Sequence, residues 1–168
     1  NGGLVLYGAI AGGLVGFFLL QRRSHYGPWR QLLDLIAPAL ALGIAFGRLG
    51  CFLNGCCFGG VCPADWPLAA IFPPGSPPSL AHGDGLHPSP SLHPTQIYSS
   101  IQGAILALLL WLAGGPLAAR PGRTFALFLG LYSIGRSLVE SIRDDHGVVQ
   151  GEWTVSQLAS ILAFAFAI

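Results

Sequence analysis

The sequence predicts an all-α, polytopic membrane protein with about five transmembrane helices and a long extracytoplasmic loop between the second and the third. Composition is the first reason, because 52% of the 168 residues are hydrophobic and only 9% are charged. Soluble domains carry about 25% charged residues. The second reason is that apolar runs recur along the chain, and the third is a Pro-rich stretch that separates two of them. The net charge of +1 gives no indication of nucleic-acid binding.

Five apolar runs come close to the roughly 20 residues that a helix needs to cross a bilayer. Backbone N–H and C=O groups in lipid must pair within their own segment, so each run is predicted to be a helix. The predicted spans are 3–20, 32–49, 95–113, 124–141 and 154–168. They form one membrane domain over 1–168, in which a first helix pair (1–49) and three C-terminal helices (95–168) flank the loop at 50–94.

The distribution of arginine predicts the orientation, because cytoplasmic loops of membrane proteins are rich in basic residues. The first and third predicted loops carry five arginines and are expected to be cytoplasmic: Arg22, Arg23, Arg30, Arg120 and Arg123. Three others lie near the predicted outer ends of helices: Arg48, Arg136 and Arg143. An arginine close to lipid is costly and usually functional, and its guanidinium matches a phosphate group. These three residues therefore predict an anion site at the outer face.

The first motif, residues 47–59 (GRLGCFLNGCCFG), follows the second apolar run. Its glycines, Gly55 and Gly59 among them, are expected to expose backbone N–H groups that join Arg48 and Asn54 around an anion. The alternative is an arginine at a helix end whose side chain reaches the membrane interface, followed by a Gly-rich helix terminus.

Four cysteines lie in and just after this motif: Cys51, Cys56, Cys57 and Cys62. Their spacing does not match the paired C-x₂₋₄-C pattern of zinc sites, so no metal is predicted. Because extracytoplasmic compartments are oxidising, one or two disulfides are expected. Free packed thiols are the main alternative, and a reactive thiol or metal ligand is the lesser one.

The second motif is His93-Pro94-Thr95-Gln96-Ile97-Tyr98, where the chain re-enters the membrane. Pro94 and Thr95 are typical of the start of a helix, and His93 is a candidate base or phosphate donor. The alternative for His93 is a solvent-facing histidine at the membrane interface.

The third motif covers residues 135–143, where Arg136, Glu140 and Arg143 are spaced to share one helix face. An ion pair between Arg136 and Glu140 would leave Arg143 as a positive charge for an anion. The alternative is a self-contained ion pair that only closes the helix bundle.

Two further patterns concern packing and the loop. Gly43 and Gly47 are four residues apart, which predicts close packing of the second helix against a neighbour. Residues 61–94 are rich in Pro, Gly and Ser, so they are predicted to form neither helix nor sheet. Within them, Trp66, Ile71 and Phe72 are expected near the membrane interface.

Together these motifs resemble those of the prolipoprotein diacylglyceryl transferases, a family of bacterial inner-membrane enzymes. Residues 47–59 are similar to G-R-x-G-N-F-x-N-G-E-x-x-G, residues 93–98 to H-P-[ST]-Q-[LI]-Y, and residues 133–143 to G-x-x-R-F-x-V-E-F-x-R. Residues 2–8 resemble G-G-[LM]-x-[FW]-[HY]-G, and residues 154–157 match T-x-x-Q. The family has additional N-terminal residues and this chain contains no Met, so we expect an N-terminally truncated piece of a longer protein.

The resemblance implies transfer of the diacylglyceryl group of phosphatidylglycerol to the lipobox cysteine thiol of a preprolipoprotein signal peptide. It places this reaction at the outer face of the bacterial inner membrane, without a cofactor, a metal or nucleic acid. The implied catalytic residues are Arg48, Arg136, His93 and Tyr7. The implied substrate contacts are Asn54, Gly55, Gly59, Gln96, Tyr98, Glu140, Arg143 and Gln157.

Three positions depart from the family pattern. Cys51 stands at the family's Asn, Cys56 stands at its Glu, and Tyr7 stands where the family often has His. These departures keep two further hypotheses open. One is a divergent paralogue that binds an anionic phospholipid and modifies another acceptor, and the other is a non-catalytic lipid-binding membrane protein.

Overall fold

The structure, a computed structural model, describes residues 29–117 and 120–142, together with short helical pieces at 12–13, 15–19 and 22–23. Within these residues the chain is helical and has no strand, as the sequence predicts. The helices with full bounds are α1 (Trp29–Leu53), α2 (Pro77–His82), α3 (Thr95–Leu117) and α4 (Arg123–Glu140). Isolated β-bridges join Leu92 to Val61 and to Ala70 in the loop between α1 and α3.

Two helices of the described part are long and apolar enough to cross a membrane: Trp29–Leu53 and Thr95–Gly115. They confirm the second and third predicted spans as helices, and α1 continues four residues beyond its predicted end. The fourth predicted span also forms a helix, α4, which has 18 residues. The fifth predicted span and most of the first lie outside the described residues, so the count of five stays a prediction.

The contact between α1 and α3 is made by small residues, but they are not the predicted ones. Ala37, Ala41 and Ala45 are buried at four-residue spacing on α1. Opposite them, a methyl group added to Gly103 of α3 would lie 2.9 Å from the Ala41 carbonyl oxygen. An added methyl group at Gly43 or Gly47 would meet nothing within 4 Å in the described part of the chain, so packing through these two glycines stays a prediction. Close helix packing is therefore correct, but it uses the alanine face.

The loop between α1 and α3 contains a short helix, which corrects the prediction of a wholly irregular segment. α2 begins with two prolines, whose missing N–H groups cost nothing at the first turn of a helix. The Ser76 hydroxyl oxygen accepts a hydrogen bond from the Ser79 N–H at 3.4 Å and caps this turn. Phe72, expected at the membrane interface, is instead buried with Phe58 and Leu92 in a small core of the loop.

Hydrogen bonds at the two ends of the bundle define the directions of the helices. Asp34, one turn into α1, accepts hydrogen bonds from the N–H groups of Gly122 and Phe125 at the start of α4. At the opposite end the Gly60 N–H donates to the Ile142 carbonyl oxygen at 3.0 Å, just beyond α4. Hence α1 and α4 run in the same direction and α3 runs against them. We call these the Asp34 end and the motif end.

Candidate functional site

The first and second sequence motifs are joined by backbone hydrogen bonds at the motif end. The Gly59 N–H donates to the His93 carbonyl oxygen at 2.9 Å, and the His93 N–H donates to the Gly60 carbonyl oxygen at 3.0 Å. A methyl group on Gly59 would lie 2.8 Å from the His93 carbonyl oxygen and from the Thr95 Cγ2 atom. Real Cβ atoms do not approach other atoms so closely, so this contact requires glycine.

Side chains at the start of α3 hold the turn that follows α1. The Thr95 hydroxyl donates to the Cys57 carbonyl oxygen, and the Gln96 amide Nε2 donates to the Cys56 carbonyl oxygen, both at 2.7 Å. Both side chains are buried, with 1% and 0% of their surface exposed. Gln96, predicted to contact substrate, is a buried side chain that joins the second motif to the first through a hydrogen bond. Its Oε1 atom has no hydrogen-bond partner among the residues described.

The backbone N–H groups of the motif glycines are already used within the protein. The Gly55 N–H donates to the Phe52 carbonyl oxygen at 3.1 Å, while those of Gly59 and Gly60 donate to His93 and Ile142. Gly55 also adopts a φ of +68°, which favours glycine in this turn. The expectation that these N–H groups face an anion is not met, because each already has a carbonyl partner.

Two polar side chains of the first motif, unlike these N–H groups, are available to a ligand. Arg48 is half-buried near the end of α1, and Asn54 is exposed directly after it. Within residues 29–117 and 120–142 neither side chain forms a hydrogen bond or an ion pair. A guanidinium without a protein carboxylate keeps its donor fork for a ligand.

The third motif forms the predicted ion pair. Arg136 and Glu140 are paired within α4, and their side chains are only 11% and 3% exposed. Gly135 lies against the Gln102 amide of α3, which would have to move to admit a side chain at this position. The Gln102 amide also donates to the Tyr132 carbonyl oxygen at 3.3 Å. The pair is thus buried, next to a residue of α4, Gly135, that contacts α3.

His93 belongs to a cluster of three rings. Its Nδ1 atom lies 3.1 Å from the Tyr98 hydroxyl, which also accepts a hydrogen bond from the Trp66 indole N–H at 2.9 Å. The Trp66 and His93 rings meet edge to face with centroids 5.2 Å apart. Trp66 was expected only at the membrane interface, and its contact with the second motif is not visible in the sequence. The ring cluster fixes the orientation of the imidazole.

No disulfide joins any of the four cysteines in this structure. Cys51, Cys56 and Cys57 have their sulfur atoms within 4.8 Å of one another. Cys62 is separate from them and buried, and burial raises the pKa of its thiol above the ordinary value. The expected disulfides remain a prediction.

Three predicted site residues lie outside the described residues: Tyr7, Arg143 and Gln157. One residue that the structure makes important was not predicted. The Asp34 carboxylate accepts a hydrogen bond at the start of α4. The sequence contained a signal for this contact, because Asp34 is the one carboxylate in the apolar run 32–49. Such a group is costly in a membrane helix unless it finds hydrogen-bond donors.

Comparisons with known proteins agree with these motifs. The family model of prolipoprotein diacylglyceryl transferase matches residues 1–168. A phosphatidylglycerol–prolipoprotein diacylglyceryl transferase of Clostridium tetani is 42% identical over 146 residues, covering 85% of this chain and 53% of that protein. The second such transferase of Clostridium perfringens is 39% identical over 161 residues, covering 95% of this chain and 57% of that protein.

A third relative, from Thermosynechococcus vestitus, carries the same transferase name and is 34% identical over 167 residues, covering 98% of this chain and 59% of that protein. The chain therefore spans a little over half the length of these curated relatives. The match extends through all three motifs and through the whole sequence. On this evidence the chain belongs to the prolipoprotein diacylglyceryl transferase family.

Proposed function

We propose that this chain is part of an enzyme that transfers the diacylglyceryl group of phosphatidylglycerol to the lipobox cysteine of a preprolipoprotein. The names of the relatives support both substrates. The observation that carries the proposal is the convergence of the three motifs at one end of the bundle. There, Arg48, which has no hydrogen-bond or ion-pair partner among the described residues, lies on the helix that precedes the turn bound by the histidine motif.

The reaction is a substitution at carbon. The substrate sulfur forms a bond to the carbon of the diacylglyceryl unit that is esterified to the phosphate. The bond between that carbon and the phosphate oxygen breaks. The products are a thioether and glycerol-1-phosphate, and the thiol proton leaves to a base or to solvent. The nucleophile belongs to the substrate, so the enzyme has to hold the phosphate, stabilise its developing charge and orient the thiol.

Arg48 is proposed as the main phosphate ligand, because it has no ion-pair or hydrogen-bond partner in the described part of the chain. Its planar fork can donate two parallel hydrogen bonds to phosphate oxygens. Asn54, six residues after Arg48, is exposed and is proposed as a second donor. The motif glycines support this pair by shaping the turn.

Arg136 is proposed to act with Arg48, but from a different electrostatic setting. Its pairing with buried Glu140 neutralises much of its charge and fixes the direction of its guanidinium. A charge held in this way is preorganised, because little reorientation is needed when a phosphate arrives. The proposal therefore assigns Glu140 to positioning Arg136. Arg143 is proposed as a further positive charge near the same helix end.

His93 is proposed to position or deprotonate the acceptor thiol. Its Nδ1 faces the Tyr98 hydroxyl, so the ring is held at one nitrogen, and within the described part of the chain the Nε2 atom has no hydrogen-bond partner and is proposed to face a substrate group. Tyr7 is proposed near the same thiol from the family resemblance. The Trp66 indole supports this arrangement through its hydrogen bond to Tyr98.

The protein is proposed to be a multi-pass protein of the bacterial inner membrane with its active site toward the extracytoplasmic face. Arg30 packs beside Gly122 at the Asp34 end, and Arg120 and Arg123 flank the same turn. This concentration of positive charge favours the cytoplasmic side for the Asp34 end. The motif end, with the long loop, then faces outward.

The test is a transfer assay with the full-length protein in detergent, labelled phosphatidylglycerol and a lipobox peptide. The expected result is a peptide whose mass rises by one diacylglyceryl group, with glycerol-1-phosphate released in equal amount. A peptide whose lipobox cysteine is replaced by serine is the control and should stay unlabelled. If lipid binds but no peptide is modified under any condition, the acceptor assignment is wrong and another acceptor has to be sought.

A further inference from the structure

The three-thiol cluster is a feature that the proposed function does not use. Cys51 lies in the last turn of α1, whereas Cys56 and Cys57 follow the end of that helix. The chain turns back through Gly55 and Cys57, which adopt φ values of +68° and +62°, and the Cys56 N–H donates to the Cys51 carbonyl oxygen at 3.1 Å. This turn brings the sulfur atoms of all three cysteines within 4.8 Å of one another.

We propose that Cys51, Cys56 and Cys57 form a binding site for a thiophilic cation with a filled d shell, with Zn²⁺ as the representative ion. Zinc binds thiolate sulfur at about 2.3 Å in tetrahedral geometry, which sets neighbouring sulfur atoms about 3.8 Å apart. Sulfur atoms that lie within 4.8 Å of one another need to approach by about 1 Å at most to reach this spacing. The fourth ligand is an exogenous one, such as water.

The surroundings of the cluster support a preorganised site. The Thr95 hydroxyl and the Gln96 amide hold the carbonyl oxygens of Cys57 and Cys56, so the backbone that carries two of the ligands is fixed by α3. Hydrogen bonds of this kind orient metal ligands in known sites. The Gln96 Oε1 atom is fully buried without a partner in the part of the chain that the structure describes.

A metal uses all three thiols, whereas a disulfide uses two and leaves the third. Cys62 does not provide a disulfide partner for the third cysteine, because it lies outside the cluster. Burial raises the pKa of the Cys62 thiol, which disfavours the thiolate form that binds metals. Binding of the ion replaces the protons of the three thiols, so about three protons are released for each ion bound and no oxidant is required.

The experiment uses full-length protein purified with a phosphine reductant and freed of metal by a chelator. Addition of Co²⁺ should produce sulfur-to-metal absorption that saturates at one ion per chain and is displaced by Zn²⁺. The variants Cys51→Ser, Cys56→Ser and Cys57→Ser should each weaken binding at least 10-fold. Cys62→Ala is the matched control, because its thiol is outside the cluster, and it should bind like the unchanged protein.

A second measurement on the unchanged protein covers the case in which a variant fails to fold. Zn²⁺ should protect three thiols from alkylation, and the chelator should expose them again. Absence of saturable absorption and of protection would overturn the proposal, as would equal loss of binding in Cys62→Ala. A mass of the non-reduced protein showing a disulfide between two of the three cysteines would overturn it in favour of a redox pair. Neither readout uses the transfer reaction, so the result is independent of the proposed function.

Discussion

The two ends of the helix bundle differ in how they use their charged side chains. At the Asp34 end a charged side chain binds the protein's own backbone, since the Asp34 carboxylate accepts hydrogen bonds from the N–H groups of Gly122 and Phe125 at 2.6 and 2.8 Å. At the motif end neutral side chains, those of Thr95 and Gln96, bind the backbone, whereas the side chains of Arg48 and Asn54 have no partner in the described residues. The first arrangement completes a helix terminus, whereas the second leaves side chains for a ligand.

The difference teaches how to separate structural charge from functional charge in this protein. A carboxylate at a helix N-terminus satisfies N–H groups that have no partner within the helix and interacts favourably with the helix dipole. An arginine near lipid without a protein partner has no comparable compensation. Substitutions at the Asp34 end should therefore change stability, and substitutions at the motif end should change transfer. Four predictions test this distinction, from the largest effect to the smallest.

Substitution of the Arg136–Glu140 pair should give the largest effect, because we expect its charges to contribute both to stability and to transfer. Arg136→Ala removes one charge of a buried ion pair, which should lower the free energy of unfolding by about 3–5 kcal/mol. The double variant Arg136→Gln, Glu140→Gln removes both charges and should recover most of that stability. Thermal unfolding in detergent measures this recovery. If the recovered double variant also regains transfer activity, the pair is only structural and Arg136 is not a phosphate ligand.

Arg48→Ala should lower transfer without unfolding the protein. Loss of one strong donor to a developing charge typically costs about 100- to 1000-fold in rate, and we expect a decrease of that order in kcat/KM. Arg48→Lys should recover little, because a single ammonium group does not replace a bidentate fork. Arg30→Ala is the matched control, since Arg30 lies on the same helix at the Asp34 end, beside the Trp29 ring. Full activity of Arg48→Lys would contradict the bidentate contact.

Asp34→Ala should lower stability and leave transfer by the folded protein nearly unchanged. The substitution removes the charged acceptor of two backbone hydrogen bonds. We expect the free energy of unfolding to fall by about 1.5–3 kcal/mol. The melting temperature and the transfer rate per folded molecule should be measured on the same sample. Asp34→Asn retains an oxygen acceptor and should be intermediate. A large fall in transfer at unchanged stability would place Asp34 in the reaction instead.

The smallest expected effect contrasts two glycines. Gly59→Ala forces a methyl group against His93 and Thr95, which should cost about 1–3 kcal/mol in the free energy of unfolding. Gly43→Ala places a methyl group in open space on α1 and should stabilise the helix by up to about 1 kcal/mol. Unfolding midpoints of the two variants provide the comparison. Equal effects at both positions would mean that the junction between the first and second motifs is not tightly packed.

Much of the local structure could be predicted because its causes are local. An apolar run has to be helical in lipid, since every backbone group must pair within its own segment, and α1 and α3 follow this rule. The Arg136–Glu140 pair could be predicted because a spacing of four residues places both side chains on one helix face. The residue types of the motifs likewise determine which chemistry is available, since only arginine provides the planar fork suited to phosphate.

The tertiary structure decided which faces and groups meet, because these contacts join residues far apart in the sequence. Whether α1 packs through its alanines or its glycines depends on where α3 lies, and the sequence of α1 offers small residues on both faces. Asp34 finds its partners 88 and 91 residues away. The three thiols meet because the chain reverses at Gly55 and Cys57, a backbone turn that a rule based on cysteine spacing does not include. Residue types determine the possible interactions, and chain reversals and helix packing select among them.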